Sequence, residues 1–259
     1  MIILKSPSEI DLMRRAGEIV YGCLELGRSM MKPGVRPIEV DRAIEDYIRA
    51  QGGTPSFKGY MGYTASACIS VNEEVVHGIP GTRPFKDGDI VGLDVGAIWR
   101  GYHGDAARTF AIGDVPEKTR QLLTATRESL EKGIEQAREG NRLSDISHAV
   151  QKHAETAGFS VVRNLVGHGI GQALHEKPQV PNYGPPGMGP KLRVGMVLAL
   201  EPMVNIGGHD VYTKADRWTI VTADGSLSAH YEQTVAITEN GPEVLTGMLH
   251  TGLERGAVV

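Results

Sequence analysis

A repeat with a spacing of 106 or 107 residues constrains the fold of this chain more than any other sequence feature. Residues 34–39 (GVRPIE) correspond to residues 140–145 (GNRLSD), and residues 88–94 (GDIVGLD) correspond to residues 195–201 (GMVLALE). Chance can produce a few such matches, but two copies of one helix-helix-strand unit account for all of them together. The period is too long, and the copies too few, for a solenoid.

Helix signals frame both copies. A serine cap followed by proline opens a helix at Pro7, and a second helix is predicted from Ile38 to about Ala50. Another begins at Glu117 and reaches about Arg138. We therefore predict a single domain, residues 1–259, with an internal repeat that occupies roughly residues 8–112 and 116–237.

Acidic residues lie beside the apolar runs of each copy. Asp94 ends a buried-strand pattern, and Asp105 precedes a second strand pattern that begins at Thr109. Glu201 and Glu232 lie beside the corresponding runs of the second copy. A carboxylate at the end of a buried strand is unfavourable unless a partner neutralises it. A pseudo-twofold arrangement of the copies would bring these four acids together.

Four ionised carboxylates in one pocket repel one another, and each pair at about 4 Å costs on the order of 4 kcal/mol at an effective dielectric constant near 20. Either several acids stay protonated or cations compensate their charge. Two divalent ions balance four carboxylates, and in two-metal hydrolases such ions lie roughly 3.5–4 Å apart. A histidine ligand would favour manganese, iron, cobalt or zinc over calcium and magnesium.

Two of the three candidate histidines lie next to glycines. His168 is flanked by glycine in GHGIG, His77 precedes a glycine, and His175 follows seven residues after His168. We expect the glycines beside His168 to let the backbone approach closely and to leave its imidazole unshielded. A single loop histidine is ordinarily a surface or hydrogen-bonded residue, so the prediction depends on the whole set. His103 and His230 each precede a proposed acidic ligand by two positions, and for them a role behind the ligands and a structural role both stay open.

Composition excludes several classes of protein. The formal net charge of −4 gives no sign of a nucleic-acid-binding surface, although net charge does not exclude local basic patches. Two cysteines, Cys23 and Cys68, imply no disulfide framework and favour a reducing compartment. No apolar run approaches the length of a membrane span, and the N-terminus lacks the features of a signal peptide. We expect a cytoplasmic protein.

Five stretches, CISVNEEVVHGIPG, DVGAIWRGYHGDAARTF, GHGIG, LALEPMVN and AHYEQTVAIT, resemble type I methionine aminopeptidases of the minimal bacterial form. The resemblance covers essentially the whole chain. It implies the pita-bread fold, an α/β (α+β) architecture with pseudo-twofold symmetry, a curved antiparallel sheet and flanking helices. It also implies removal of N-terminal methionine from nascent proteins and peptides. The implied reaction is attack on the first peptide bond by a hydroxide that bridges two divalent ions, with cobalt, manganese, iron or zinc as candidates.

The resemblance also implies roles for single residues. Asp94 resembles a ligand of one ion, Asp105 and Glu232 resemble bridging ligands, and His168 and Glu201 resemble ligands of the other ion. Glu201 would also accept the proton from the attacking water. His77 resembles the residue at the nitrogen side of the peptide, and His175 the residue that stabilises the oxyanion. The methionine pocket would consist of Tyr60, Tyr63, Cys68 and Trp218.

Two positions depart from the family pattern. Met61 replaces a common histidine and Leu174 a common aromatic residue, both near the pocket mouth, so the shape and affinity of the pocket stay open while the metal chemistry does not depend on them. The alternatives are an Xaa-Pro aminopeptidase of the same fold, which usually carries a large N-terminal domain, and a metal-free pita-bread binding module, which would lack the ligands. We expect a monomer that acts on peptide or nascent-chain N-termini. Ribosome docking stays open, and we expect no membrane and no direct nucleic-acid binding.

Overall fold

The computed structural model describes residues 1–247 and contains four α-helices within that range. The first begins where the sequence predicts, because the Ser6 hydroxyl accepts a hydrogen bond from the Glu9 backbone at 3.4 Å and the Glu9 carboxylate accepts one from the Ser6 backbone at 2.7 Å. None of the four combines the length and the apolar surface that crossing a bilayer would need. The helices are α1 (Pro7–Met30), α2 (Pro37–Ala50), α3 (Glu117–Gln136) and α4 (Leu143–Thr156).

Helices α2 and α4 begin with the same arrangement in the two copies of the sequence pattern. The backbone N–H of Arg36 donates to the Glu39 carboxylate at 2.9 Å, and that of Arg142 donates to the Asp145 carboxylate at 2.7 Å. An acid at this place satisfies a backbone donor at the helix start and suits the positive end of the helix dipole. Helix α1 packs against α2, and α3 packs against α4.

All strand pairs named in the described part of the chain are antiparallel. The longest are the two strands of one hairpin, β4 and β5. The strands are β1 (Thr54–Pro55), β2 (Ala67–Val71), β3 (Glu74–Val76), β4 (Ile90–Trp99), β5 (Tyr102–Ala111), β6 (Ser160–Val161), β7 (Val166–Gly169), β8 (Glu176–Pro181), β9 (Val197–Leu200), β10 (Met203–Asn205), β11 (Val211–Thr213), β12 (Ile220–Thr222), β13 (Ser228–His230), β14 (Gln233–Thr238) and β15 (Gly241–Val244).

Two larger sheets meet near the middle of the molecule. The first joins β1, β2 and β5 to β4, and the second has the order β15-β14-β9-β7-β8. Smaller sheets have the orders β13-β10-β6 and β11-β12-β3. An isolated bridge between Ala107 and Glu232 links β5 to the chain between β13 and β14, and the Glu232 N–H donates to the Ala107 carbonyl at 2.9 Å. This junction brings the two halves of the sequence into contact.

The cores lie between the helices and the sheets. Ile19 and Leu24 of α1 belong to one buried cluster with Leu93 of β4, and Ile146 of α4 belongs to another with Leu198 of β9. Full burial of such a side chain contributes about 1.5–3 kcal/mol. Helices covering antiparallel sheets give the α/β class that the sequence predicts, and they hold the sheet junction in place.

Candidate metal centre

The β4–β5 hairpin places Asp94 and Asp105 on one face of the sheet. Asp94 pairs with Ala107, and Asp105 lies two residues before Ala107 on β5. Side chains alternate along a strand, so residues two apart point to the same face and the two acids are diagonal neighbours. Glu232 reaches the same place because its backbone bridges to Ala107. All three acids line one cavity.

The second sheet contributes Glu201 and His168 to that cavity. Glu201 directly follows β9, and His168 lies in β7 opposite Ala199 of β9. The His168 Nε2 atom lies 3.6 Å from a Glu201 carboxylate oxygen. Three atoms that could bind a metal lie within 4.8 Å of one another, one from each of Asp105, His168 and Glu232. The structure therefore brings together all five residues that the sequence singles out as ligands.

His168 is oriented to offer a lone pair to the cavity. Its Nδ1 atom lies 2.9 Å from the Gly169 carbonyl oxygen, which can only accept a hydrogen bond. The proton is therefore on Nδ1, and Nε2 is free on the side that faces Glu201. Burial lowers the pKa of His168 to about 4, so the ring is neutral at pH 7. A metal ligand must be deprotonated in this way.

The glycines around His168 let neighbouring backbone segments approach closely. A Cβ atom on Gly167 would collide with the Ala199 carbonyl, and one on Gly169 would collide with the Lys177 carbonyl. These glycines admit the backbones of the neighbouring strands β9 and β8, which fixes His168 between them.

Burial shapes the electrostatics of the four acids. It raises the pKa of Asp94 to about 7. Burial, together with the charges of the neighbouring carboxylates, holds the pKa of Asp105, Glu201 and Glu232 well above the usual range of a carboxyl group. The protein alone disfavours four negative charges in this space, and bound cations would favour them.

The donor set fits divalent metal ions. The atoms Asp94 Oδ1, Asp105 Oδ1 and Glu232 Oε1 are buried and have no hydrogen-bond partner among residues 1–247. Buried polar atoms are nearly always satisfied, so these oxygens lack the partner that a cation would supply. Carboxylate oxygens combined with an imidazole nitrogen suit ions of the manganese-to-zinc series.

Of the two histidines left open by the sequence, His230 lies at the centre. Its Nε2 atom is buried, is 3.9 Å from Glu201 and 4.0 Å from Glu232, and has no hydrogen-bond partner in the described part of the chain. Burial lowers the pKa of His230 to about 3, so it is neutral. His103 instead contacts the Ser56 hydroxyl through Nδ1 at 2.9 Å, which is a structural contact.

The ligands lie in the wall of a cavity of about 190 Å³. Tyr63 and Trp218 form an edge-to-face pair there, with ring centroids 5.0 Å apart. Phe57 also lines the cavity, although no sequence motif singles it out. Met61 is 83% exposed at the cavity, whereas Leu174 is buried. The six residues proposed from the sequence for substrate contact all line it: Tyr60, Tyr63, Cys68, His77, His175 and Trp218.

His175 and His77 differ in how they are held. The Nδ1 atom of His175 lies 2.7 Å from the Tyr60 hydroxyl, and its ring centroid lies 4.2 Å from that of His168. Burial lowers the pKa of His175, so its ring is neutral at pH 7. His77 has a left-handed backbone, with φ of 59°, and burial lowers its pKa to about 4. A non-glycine residue in this conformation often lies at a functional site.

Residues 11–239 match metallopeptidase family M24. The match spans nearly the whole described chain and includes all five candidate ligands. The chain belongs to metallopeptidase family M24. Membership of a metallopeptidase family implies divalent metal ions, which agrees with the donor set of the cavity.

The chain is similar to methionine aminopeptidases over almost its full length. It is 57% identical over 246 residues to methionine aminopeptidase of Clostridium perfringens, covering 95% of this chain and 99% of the relative. It is 54% identical over 246 residues to methionine aminopeptidase 1 of Bacillus subtilis, with the same coverage. The crystal structure of methionine aminopeptidase from Thermotoga maritima matches with a TM-score of 0.94 and 49% identity, over 95% of this chain and 99% of that one.

The match to a prolidase is distant and shows the fold alone. Prolidase from Pyrococcus furiosus matches with a TM-score of 0.77 at 24% identity, and the chain covers 66% of that structure. The predicted pita-bread fold is confirmed by these matches. The Xaa-Pro alternative is not favoured, and neither is a metal-free binding module.

Proposed function

We propose that this M24 protein is a methionine aminopeptidase that removes N-terminal methionine from peptides and nascent chains. The cavity carries this function, because two buried acids, two half-buried acids and His168 lie there beside an aromatic wall. The identity to methionine aminopeptidases over almost the full chain supports the substrate class.

Two divalent ions would be held by the five ligands. Asp94 would bind one ion, His168 and Glu201 the other, and Asp105 and Glu232 both. Two doubly charged cations balance the four carboxylates and supply a partner to the orphaned oxygens. Manganese, iron, cobalt and zinc all suit the donors. When bound, such ions polarise the scissile carbonyl and lower the pKa of a water molecule toward neutrality.

Glu201 would take the proton from the attacking water. Glu201 lies 3.6 Å from His168 Nε2, and this distance supports a role as a ligand beside the activated water.

His175 would stabilise the developing negative charge on the carbonyl oxygen. We assign the proton in its hydrogen bond with Tyr60 to the phenol, which then donates to Nδ1 and leaves the proton of the ring on Nε2. Nε2–H is then a neutral donor, and removal of one such donor typically lowers turnover by roughly 10²–10³. His77 would contact the nitrogen side of the peptide bond.

The methionine side chain would lie against Tyr63, Cys68 and Trp218. The Trp218 and Tyr63 rings are edge-to-face. The Tyr63 hydroxyl donates its proton to the Gly78 carbonyl at 2.9 Å, so the ring of Tyr63 offers an apolar surface to the cavity. Tyr60 lines the same cavity, but its hydroxyl contacts His175. A pocket of this kind discriminates methylene-sized differences by about 1–3 kcal/mol.

We further propose one catalytic domain over residues 1–259 with the internal repeat, of which residues 248–259 lie outside the described part. Helices α2 and α4, which begin alike, support the repeat. A cytoplasmic monomer that meets nascent chains fits the proposed substrate, and docking to the ribosome would bring the two together.

The test is an assay of metal-stripped protein. We expect activity on Met-Ala-Ser to return when manganese, iron, cobalt or zinc is added, with little activity on Ala-Pro peptides. Elemental analysis of protein purified without added metal should identify the bound ion. Full activity after stripping, or preference for Ala-Pro peptides, would contradict the proposal.

A further inference from the structure

A buried ion pair lies next to the residues that carry His175. Lys5 Nζ contacts Glu176 Oε2, and the two side chains are only 3% and 7% exposed. Among the lysine and arginine ion pairs of residues 1–247, the others each have at least one partner more exposed than this. A pair this deep holds its geometry, because removal of one charge leaves the other uncompensated in the interior.

The pair fills the inside of the turn over residues 171–176. Glu176 directly follows His175, and its second oxygen accepts a hydrogen bond from the Ala173 backbone at 3.4 Å. A Cβ atom on Gly171 would lie 2.5 Å from both Glu176 Oε1 and Lys5 Cε. The last glycine of GHGIG is therefore needed to make room for the ion pair.

Lys5 is itself anchored to the body of the protein. Its backbone N–H donates to the Gly195 carbonyl at 2.7 Å, and the Gly195 N–H donates to the Ile237 carbonyl at 2.9 Å. The ion pair therefore links the turn over residues 171–176 to the N-terminal segment that contains Lys5. That segment is bonded to Gly195, just before β9, and Gly195 is bonded to Ile237 of β14 in the same sheet.

Hydrogen bonds connect the same turn to the N-terminal segment a second time. The Gln172 side chain donates to the Tyr102 hydroxyl at 3.1 Å, and that hydroxyl donates to the Glu9 carboxylate at 2.7 Å. The ion pair and this chain of hydrogen bonds both position the backbone around His175, while the Tyr60 hydroxyl contacts the imidazole ring itself.

We propose that the Lys5–Glu176 ion pair positions His175 for catalysis, so that Lys5, distant in sequence from every ligand, sets turnover without touching the substrate. The inference rests on the proposed function, because it concerns the role of His175 in peptide hydrolysis. The misplacement of a catalytic group by about 1 Å can lower the rate on the order of 10²-fold.

The test is a double-mutant cycle between Lys5→Met and His175→Ala, with kcat and KM for Met-Ala-Ser and metal content measured for each variant. We expect Lys5→Met to lower kcat on the order of tenfold to a hundredfold, with KM and metal stoichiometry nearly unchanged. In the His175→Ala background, Lys5→Met should lower kcat by no more than about twofold, because the group that it positions is gone.

Arg14→Met is the matched control. Arg14 lies on α1 and pairs with Glu243 at 2.8 Å, and its partners do not include the turn over residues 171–176. Arg14→Met should change kcat by no more than about twofold, both in the wild-type protein and in the His175→Ala variant, as expected for independent sites. The charge-reversed variant Lys5→Glu with Glu176→Lys should recover part of the kcat that Lys5→Met loses.

An equal loss of kcat from Lys5→Met in both backgrounds would overturn the inference, as would a normal kcat in the folded single variant. If Lys5→Met does not fold, Lys5→Met combined with Glu176→Met leaves no unpaired charge and carries the same cycle. Absence of activity in the metal-loaded wild-type protein would instead contradict the proposed function. The two failures are therefore distinguishable.

Discussion

Tyr60→Phe tests how the oxyanion donor is oriented. The substitution removes only the hydroxyl that lies 2.7 Å from His175 Nδ1 and keeps the ring that lines the cavity. One neutral hydrogen bond contributes about 0.5–1.5 kcal/mol net. If that energy holds the Nε2–H form of His175 in place, its loss should lower kcat by about two- to twelvefold. This is well below the roughly 10²–10³ expected for His175→Ala.

The assay is steady-state hydrolysis of Met-Ala-Ser by metal-loaded protein, with Tyr212→Phe as the control because Tyr212 is 56% exposed on β11. Tyr60→Phe should leave KM nearly unchanged and should add nothing to His175→Ala. A raised KM with normal kcat would refute the reasoning. Tyr60 would then act only in the methionine pocket, as the family resemblance implies.

Three other predictions concern the metal centre and the pocket. His168→Ala should lose activity through loss of bound metal, and near-normal turnover with two ions by elemental analysis would remove it from the ligands. Trp218→Ala should mainly raise KM for methionyl peptides, because it removes half of the edge-to-face pair with Tyr63; an unchanged KM would exclude it from the pocket. Metal affinity should fall as the pH drops through about 7, because the raised pKa of Asp94 makes ions compete with protons. Calorimetry in buffers of different ionisation enthalpy should show proton release on metal binding, and none would contradict the raised pKa.

The four acids were predictable because the repeat puts two of them in each copy, and the family resemblance adds His168. Asp94 and Asp105 belong to one hairpin, so a two-residue alternation is enough to place them on the same face. His168 and Glu201 come together because strand β7 pairs with strand β9 in the second sheet. Helix bounds were predictable to within two residues because caps and proline act locally.

Contacts between distant segments were not predictable. Nothing near Lys5 or Glu176 in the sequence indicates that they pair, because a lysine and a glutamate are ordinarily surface residues. Phe57 likewise reaches the cavity only through tertiary packing. Gly167 and Gly169 were recognised, but the strands that require them become visible only in the folded chain.

The sheet junction explains why the metal centre is not symmetric although the repeat is. Thr109 and Thr234 begin matching sequences, and each bonds across the junction: Thr234 with the backbone of Asp105, and Thr109 with the backbone of His230. Asp105 in the first half therefore occupies the place that His230 occupies in the second.

Glu232 instead faces Ala107. The acid of the second half is thus displaced by two residues along its strand, which keeps its side chain on the same face. The displacement leaves room for a neutral imidazole, His230, 4.0 Å from Glu232 and 3.9 Å from Glu201. A fifth carboxylate at that place would add negative charge that the two proposed divalent ions could not balance, and the neutral imidazole avoids this excess charge.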